Sequence, residues 1–190
     1  MIKILLTAVI LCCSLPAKPQ DYDHRWVAGI SGSILTFKDN SLGRPLNVQA
    51  PKINISIYLF YGFILDGGFT LSGIGDIDGL FSNSFSYNSL DGNLRYDFNL
   101  SNNKIVPYLA IGSSFINAPS SRPNSNPTAT FNTTIGVTFW DTHRWGFNTQ
   151  MTYKSSPEEF RSMVNHIQLT VGLVYRFRPR IYVRRLWDRR

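Results

Sequence analysis

The sequence predicts an all-β chain in which eight antiparallel, up-and-down strands close into a transmembrane β-barrel. Three observations carry this. From Arg25 onward apolar and polar residues alternate with period two rather than 3.6. The alternation recurs in eight segments separated by turn chemistry. The connections between segments alternate between short and long, as in barrels with short turns at one end and long loops at the other. Composition agrees: 190 residues suit one domain, and 16% charged with 14% aromatic residues excludes charge-driven disorder. Beyond the first residues no apolar run reaches the roughly 18 residues a membrane-spanning helix needs.

The segments follow in order. Residues 26–37 form the first. In residues 52–62, Ile53, Ile55, Ile57, Leu59 and Tyr61 oppose Asn54, Ser56 and Tyr58; after a tight turn at Gly62-Phe63, residues 63–73 set Leu65, Phe69 and Leu71 against Asp66, Thr70 and Ser72. Residues 84–98 place Leu90, Leu94, Tyr96 and Phe98 opposite Asp91, Asn93, Arg95 and Asp97. The fifth (104–116), sixth (130–140), seventh (145–154) and eighth (164–177) continue the alternation; the last opposes Ile167, Leu169, Val171, Leu173, Tyr175 and Phe177 to His166, Gln168, Thr170, Gly172 and Arg176. Short links join segments two to three, four to five and six to seven, whereas residues 38–51, 74–83, 117–129 and 155–163 are long and polar.

Alternation alone does not say which face meets water, because a soluble sandwich or carrier barrel shows the same period with the apolar face inward. The charges favour the inverted arrangement. Asp66, Asp91, Arg95, Asp97 and Arg176 lie mid-strand in the polar phase, opposite continuous aliphatic stripes. Eight strands enclose an interior that side chains fill, so these ions are expected to pair and plug it rather than line a channel. Tyr61, Phe63, Tyr96, Phe98, Phe139, Trp145, Tyr175 and Phe177 gather beside the short turns, as an aromatic girdle at a membrane interface would.

Residues 1–19 read as a secretory signal, with Lys3 ahead of an apolar stretch from Ile4 to Leu15 and a small-residue region around Ala17. Both cysteines, Cys12 and Cys13, fall inside it, so a disulfide scaffold, a thiol enzyme and a cysteine-ligated metal are not expected; Leu11 disfavours lipidation at either one. The barrel is expected over residues 20–177. Residues 178–190 form a basic tail with six Arg and one Asp, which holds five of the seven net positive charges.

The final strand carries a further pattern. Thr170, Gly172, Tyr175 and Phe177 occupy the polar, glycine and aromatic positions that resemble the assembly signal ending outer-membrane barrels. Together with YDF (Tyr96-Asp97-Phe98), VPYLAIGSSF (Val106 to Phe115), IGVTFWDTHRWGFNTQMTYK (Ile135 to Lys154) and GLVYRF (Gly172 to Phe177), residues 26–177 resemble the N-terminal eight-stranded barrel of the outer membrane protein A family. That resemblance implies residence in the outer membrane of a Gram-negative cell, contact with its lipids and with the barrel assembly machinery, and roles in envelope integrity, adhesion or a larger complex. Many members continue into a peptidoglycan-binding domain; thirteen residues follow Phe177 here, so that anchoring is not expected.

No catalytic, cofactor or metal site is expected. His24 precedes the first strand and His143 lies in a short turn. His166, with Glu158, Glu159, Ser155, Ser156 and Ser162 nearby, could support a lipid hydrolase, but no spacing signature backs it. Asp76-Ile77-Asp78 is a fragment of a calcium loop without its frame. In the tail, Arg180, Arg184, Arg185, Trp187, Arg189 and Arg190 could touch anionic headgroups or dock on a periplasmic or outer-membrane protein; nucleic acid is not an expected partner of an exported chain. The sequence is thus read as a non-enzymatic envelope scaffold, with a secreted lipocalin-like carrier of an apolar ligand as the competing class.

Overall fold

The computed structural model describes residues 25–37, 46–72, 76–77, 81–82, 86–98, 104–117, 128–141, 144–156 and 165–177. Eight long strands close into one barrel: β1 (Trp26–Phe37), β2 (Leu46–Phe60), β3 (Phe63–Thr70), β6 (Asn88–Asp97), β7 (Ile105–Asn117), β8 (Thr128–Trp140), β9 (Trp145–Ser155) and β10 (His166–Arg176). Two two-residue strands, β4 (Asp76–Ile77) and β5 (Phe81–Ser82), pair with each other in the connection between β3 and β6. Sequence neighbours pair antiparallel around the ring and β10 closes on β1 from Val27 opposite Arg176 to Phe37 opposite His166. Closure pairs both edges of each of the eight barrel strands, as a sheet that faces lipid would need.

Burial along the strands has period two with the sign the charges suggested. In β9 the pattern alternates exposed Trp145, Phe147, Met151 and Tyr153 with buried Asn148, Gln150, Thr152 and Lys154. Around the ring Ile55, Leu65, Leu109, Ile111, Ile135 and Leu169 are exposed, whereas Asp91, Asp97, Asn132, Gln168 and Lys52 are buried. A cluster of Val27, Val106 and Trp140, with Val174 against it, supplies apolar packing inside the turn end of the barrel.

Several boundaries differ from the sequence reading. The second strand starts at Leu46, not Lys52, because a bulge opposite Gly32 lets Ser31 pair with Lys52 and Ser33 with Gln49. The bulge inverts the parity: Asn47 and Gln49 point inward before it, Lys52 and Ser56 after it. Pro51, which has no N–H to give the ladder, sits in the bulge. A second slip between Tyr58 and Phe60 moves the β2–β3 turn to Tyr61-Gly62 rather than Gly62-Phe63. Both turn residues have positive φ (44° and 87°), the geometry of a two-residue turn whose twist matches the flanking strands. The third strand ends at Thr70 rather than Gly73. The fourth long strand begins at Asn88 rather than Ser84, Ser86 and Tyr87 lying before the ladder; other ends move by one or two residues.

Candidate functional site

Among the described residues the barrel interior gathers the buried charges and their partners, and it divides into two clusters. Toward the loop end, Asp91 of β6 sits between two lysines, with Lys52 Nζ 2.8 Å from Oδ2 and Lys154 Nζ 2.7 Å from Oδ1. Ser114 Oγ donates to Oδ1 at 2.6 Å and Asn132 Nδ2 donates to Ser114 at 2.6 Å. Lys154 Nζ also reaches Tyr87 Oη at 3.2 Å and Ser89 Oγ at 3.4 Å. Tyr87 Oη is 3.1 Å from His166 Nε2, its ring edge-on to the imidazole. Gly68 makes room for the pair: a Cβ there would stand 3.2 Å from Lys52 Cε and 3.4 Å from Asp91 Oδ2.

Toward the turn end, Arg95 Nε donates to Asp97 at 2.5 Å and Arg95 Nη2 to Thr138 at 3.1 Å, while its guanidinium lies 3.6 Å over the Tyr108 ring. Tyr108 donates to Gln150 Oε1 at 2.8 Å and accepts from Asn148 Nδ2 at 3.0 Å. A side chain on Gly136 would overlap the Tyr108 ring, so glycine is what lets that ring lie across the lumen. Asp66 accepts from Ser56 at 2.5 Å, and the Arg176 guanidinium stacks 3.4 Å over Trp140. The cavity left among Asn54, Asp66, Arg95, Asn148 and Gln150 measures about 20 Å³, room for about one water.

Chemically the interior is a filled, cross-braced plug. Buried charges are tolerated when paired and hydrogen-bonded, and the Lys52–Asp91, Lys154–Asp91 and Tyr108–Gln150 contacts join strands that are not neighbours in the ring. Asp66, Asp91 and Asp97 are buried; Arg95 and Arg176 are half-buried beside them. The sequence reading missed Lys52, Lys154 and Tyr87. The signal for Lys154 was present, since it continues the inward phase of Asn148, Gln150 and Thr152.

Of the other sequence candidates, only some lie within the described residues. His166 is buried and engaged with Tyr87; Ser155 and Ser156 are half-buried, and the Ser156 N–H is capped by Asn165 Oδ1. His24, His143, Glu158, Glu159 and Ser162 lie outside the described residues, as do the leader and the tail with Arg180, Arg184, Arg185, Trp187, Arg189 and Arg190. Asp76 is in β4 and Asp78 is outside the described residues; among the described residues no group of three or more His, Cys, Asp or Glu could hold a metal. On β10, Thr170 points inward and Tyr175 lies in an outer aromatic stack with Trp145 and Phe177; Gly172 packs against the backbone of β1. A second stack runs Phe60, Phe63, Tyr96, Phe98, so rings border the turn end on both sides.

An apolar exterior, a polar, side-chain-filled interior and an aromatic rim define a barrel of the transmembrane type. No family model and no curated protein matches the chain. Among solved structures the fold is similar to the N-terminal β-barrel domain of Pseudomonas aeruginosa OprF, with TM-score 0.58 and 13% identity over 81% of this chain and 98% of that one. It is similar to Neisserial surface protein A (TM-score 0.57, 16% identity, 80% and 97% covered) and to Ail, the attachment invasion locus protein of Yersinia pestis (TM-score 0.53, 15%, 80% and 97%). At these identities the likeness is one of fold: the chain has the eight-stranded outer-membrane barrel fold that the resemblance to the outer membrane protein A family implied.

Proposed function

We propose that the chain is a non-enzymatic outer-membrane barrel serving as a structural or interaction scaffold of the envelope, displaying its long loops on one side and a cationic tail on the other. The observation that carries this is the inverted amphiphile, with Ile55, Leu109, Ile111 and Leu169 exposed around a ring whose inside holds Lys52, Asp91, Asp97 and Lys154. Exposing so many large apolar side chains to water would cost roughly 25 cal/mol per Å², whereas lipid accepts them at no cost. A carrier of an apolar ligand needs the reverse, and the polar, braced interior supports no such cavity. The scaffold would contact lipid along its wall and the assembly machinery through Thr170, Gly172, Tyr175 and Phe177. Its tail residues Arg180, Arg184, Arg185, Trp187, Arg189 and Arg190 would meet anionic headgroups or a protein partner.

Membrane fractionation tests the reading. The protein should partition into detergent and migrate faster on gels when unheated than when boiled; recovery in the aqueous fraction without detergent would overturn it. Deleting residues 179–190 and finding the co-purifying proteins unchanged would remove the protein-docking role of the tail and leave the lipid one.

A further inference from the structure

The outer wall is uneven where β7, β8 and β9 run side by side. Their register sets Pro107, Val137 and Thr149 in one row, and the Phe98 N–H, donating to the Pro107 carbonyl at 2.8 Å, brings Phe98 to the end of it. All four are half-buried. On the loop side of the row stand Leu109, Ile135, Met151 and Leu169; on the turn side stand Ile105, Phe139, Phe147 and Leu173, and each of these eight is at least 42% exposed. Short side chains between two raised rows leave an apolar groove of about 530 Å³ that runs from Phe98 to Leu169. The row also climbs. Counted from the turn end, Pro107 is the third residue of β7, Val137 the fourth of β8 and Thr149 the fifth of β9, so strand tilt carries the groove obliquely from the aromatic rim up the wall.

We propose that this groove and Lys104 form a site for one anionic phospholipid of the turn-side leaflet, with an acyl chain along Pro107, Val137 and Thr149 and the headgroup phosphate on the Lys104 ammonium. The site rests on the outer-membrane reading and adds selection to it. Four strand spacings of ~4.8 Å give the groove a length of roughly 19 Å, enough for a chain crossing an inclined path through one leaflet's ~15 Å of hydrocarbon. Contact on three sides gives that chain dispersion partners that a flat wall lacks. Lys104 is exposed three residues turnward of Pro107, about 10 Å at ~3.3 Å per residue, and its carbonyl accepts from the Trp140 N–H at 2.7 Å. A lysine there keeps its stem on apolar surface and its ammonium at headgroup level. Residues 99–103, which lead to Lys104, carry no charge. Arg25 and Arg144 are exposed at the same rim, and Asp141 is the one exposed acid there among the described residues, so the rim favours a net negative headgroup. A second copy of the barrel, set at the same height by the membrane, would instead bring its own cationic rim against this one.

Native mass spectrometry tests the site on the full chain, folded in detergent micelles with equal amounts of phosphatidylglycerol and phosphatidylcholine of identical acyl chains. The unmodified protein should retain one phosphatidylglycerol, favoured about fivefold over phosphatidylcholine, the gain expected from one cation at the membrane surface. Thr149→Trp fills the groove and should lower the retained fraction about tenfold; Val137→Phe serves if the tryptophan variant fails to fold. Ile53→Trp on β2, opposite β8 in the ring, should retain lipid as the unmodified protein does. Lys104→Gln should still retain a lipid but take the two kinds about equally. A folded barrel that retains no lipid, that retains it undiminished with the groove filled, that keeps its preference in Lys104→Gln, or that appears as a lipid-free dimer overturns the site while the membrane reading stands. Recovery of the folded protein in water without detergent overturns both.

Discussion

Asp91 is the residue on which the loop-end cluster turns, because it compensates two lysines at once. Asp91→Asn leaves both ammonium groups buried beside a neutral amide, and unfolding by urea should be easier by about 3–5 kcal/mol, the usual cost of breaking a buried ion pair from one side. Lys52→Met leaves a balanced Lys154–Asp91 pair, and its cost should be nearer 1 kcal/mol. The order is the test: equal costs would mean that Asp91 acts by packing rather than by charge. Sequence alone made Asp66, Asp91, Arg95, Asp97 and Arg176 legible as candidate interior charges, since each falls in the polar phase of its segment, although Asp97 and Arg176 turn out to end their strands. Lys52 was not legible as one, because it stood at the supposed start of its segment, where a lysine reads as a solvated end. Which carboxylate meets which cation was not legible at all, because those contacts cross the lumen between strands whose heights depend on the register of the whole ring.

At the level of the strand, the closing seam between β1 and β10 is the place where sequence and geometry constrain each other most tightly. A side chain on Gly172 would collide with Ser31 and with the Ile30 carbonyl, backbone that cannot swing away, whereas a side chain on Gly32, one position along the same seam, would meet nothing within 4 Å. Gly172→Ala should therefore lower stability by about 1–3 kcal/mol and slow closure, and Gly32→Ala should change stability by less than about 0.5 kcal/mol. Both are read from the fraction of the fast-migrating folded band during insertion into lipid vesicles. A Gly172→Ala barrel that closes as fast as the Gly32→Ala one would show that the seam gives way. The same dependence on register explains what was lost on β2. Period two identifies a strand only while its phase holds, and the bulge at Ala50-Pro51 reverses the phase, so residues 46–49 looked like loop although they pair with β1.

Across the whole molecule the deciding property is that the apolar surface faces outward and the polar groups inward. A water-soluble domain is built around a buried apolar core, whereas here, among the described residues, Val27, Val106 and Trp140 make a small internal cluster, Leu35, Ile64 and Ile116 are also buried, and most large aliphatic residues form the exterior. The alternation revealed eight strands, and the crowding of charge on one phase revealed which way they face; the loops' partners left no comparable pattern. Depth in the bilayer then becomes a measurable coordinate of each outward residue. Ile111 lies midway along β7 and is 55% exposed; Ile105 begins the same strand, 48% exposed, opposite Phe139 near the aromatic rim. In lipid vesicles Ile111→Arg should cost about 2–4 kcal/mol, and Ile105→Arg only about 0–1 kcal/mol, because a charge near the interface reaches water. If the exterior met water, both substitutions would place an arginine on a solvated surface and neither would matter. Chemical unfolding of the two variants in the same vesicles separates the cases: a depth-dependent difference supports a membrane around the barrel, and two unchanged stabilities would place water there instead.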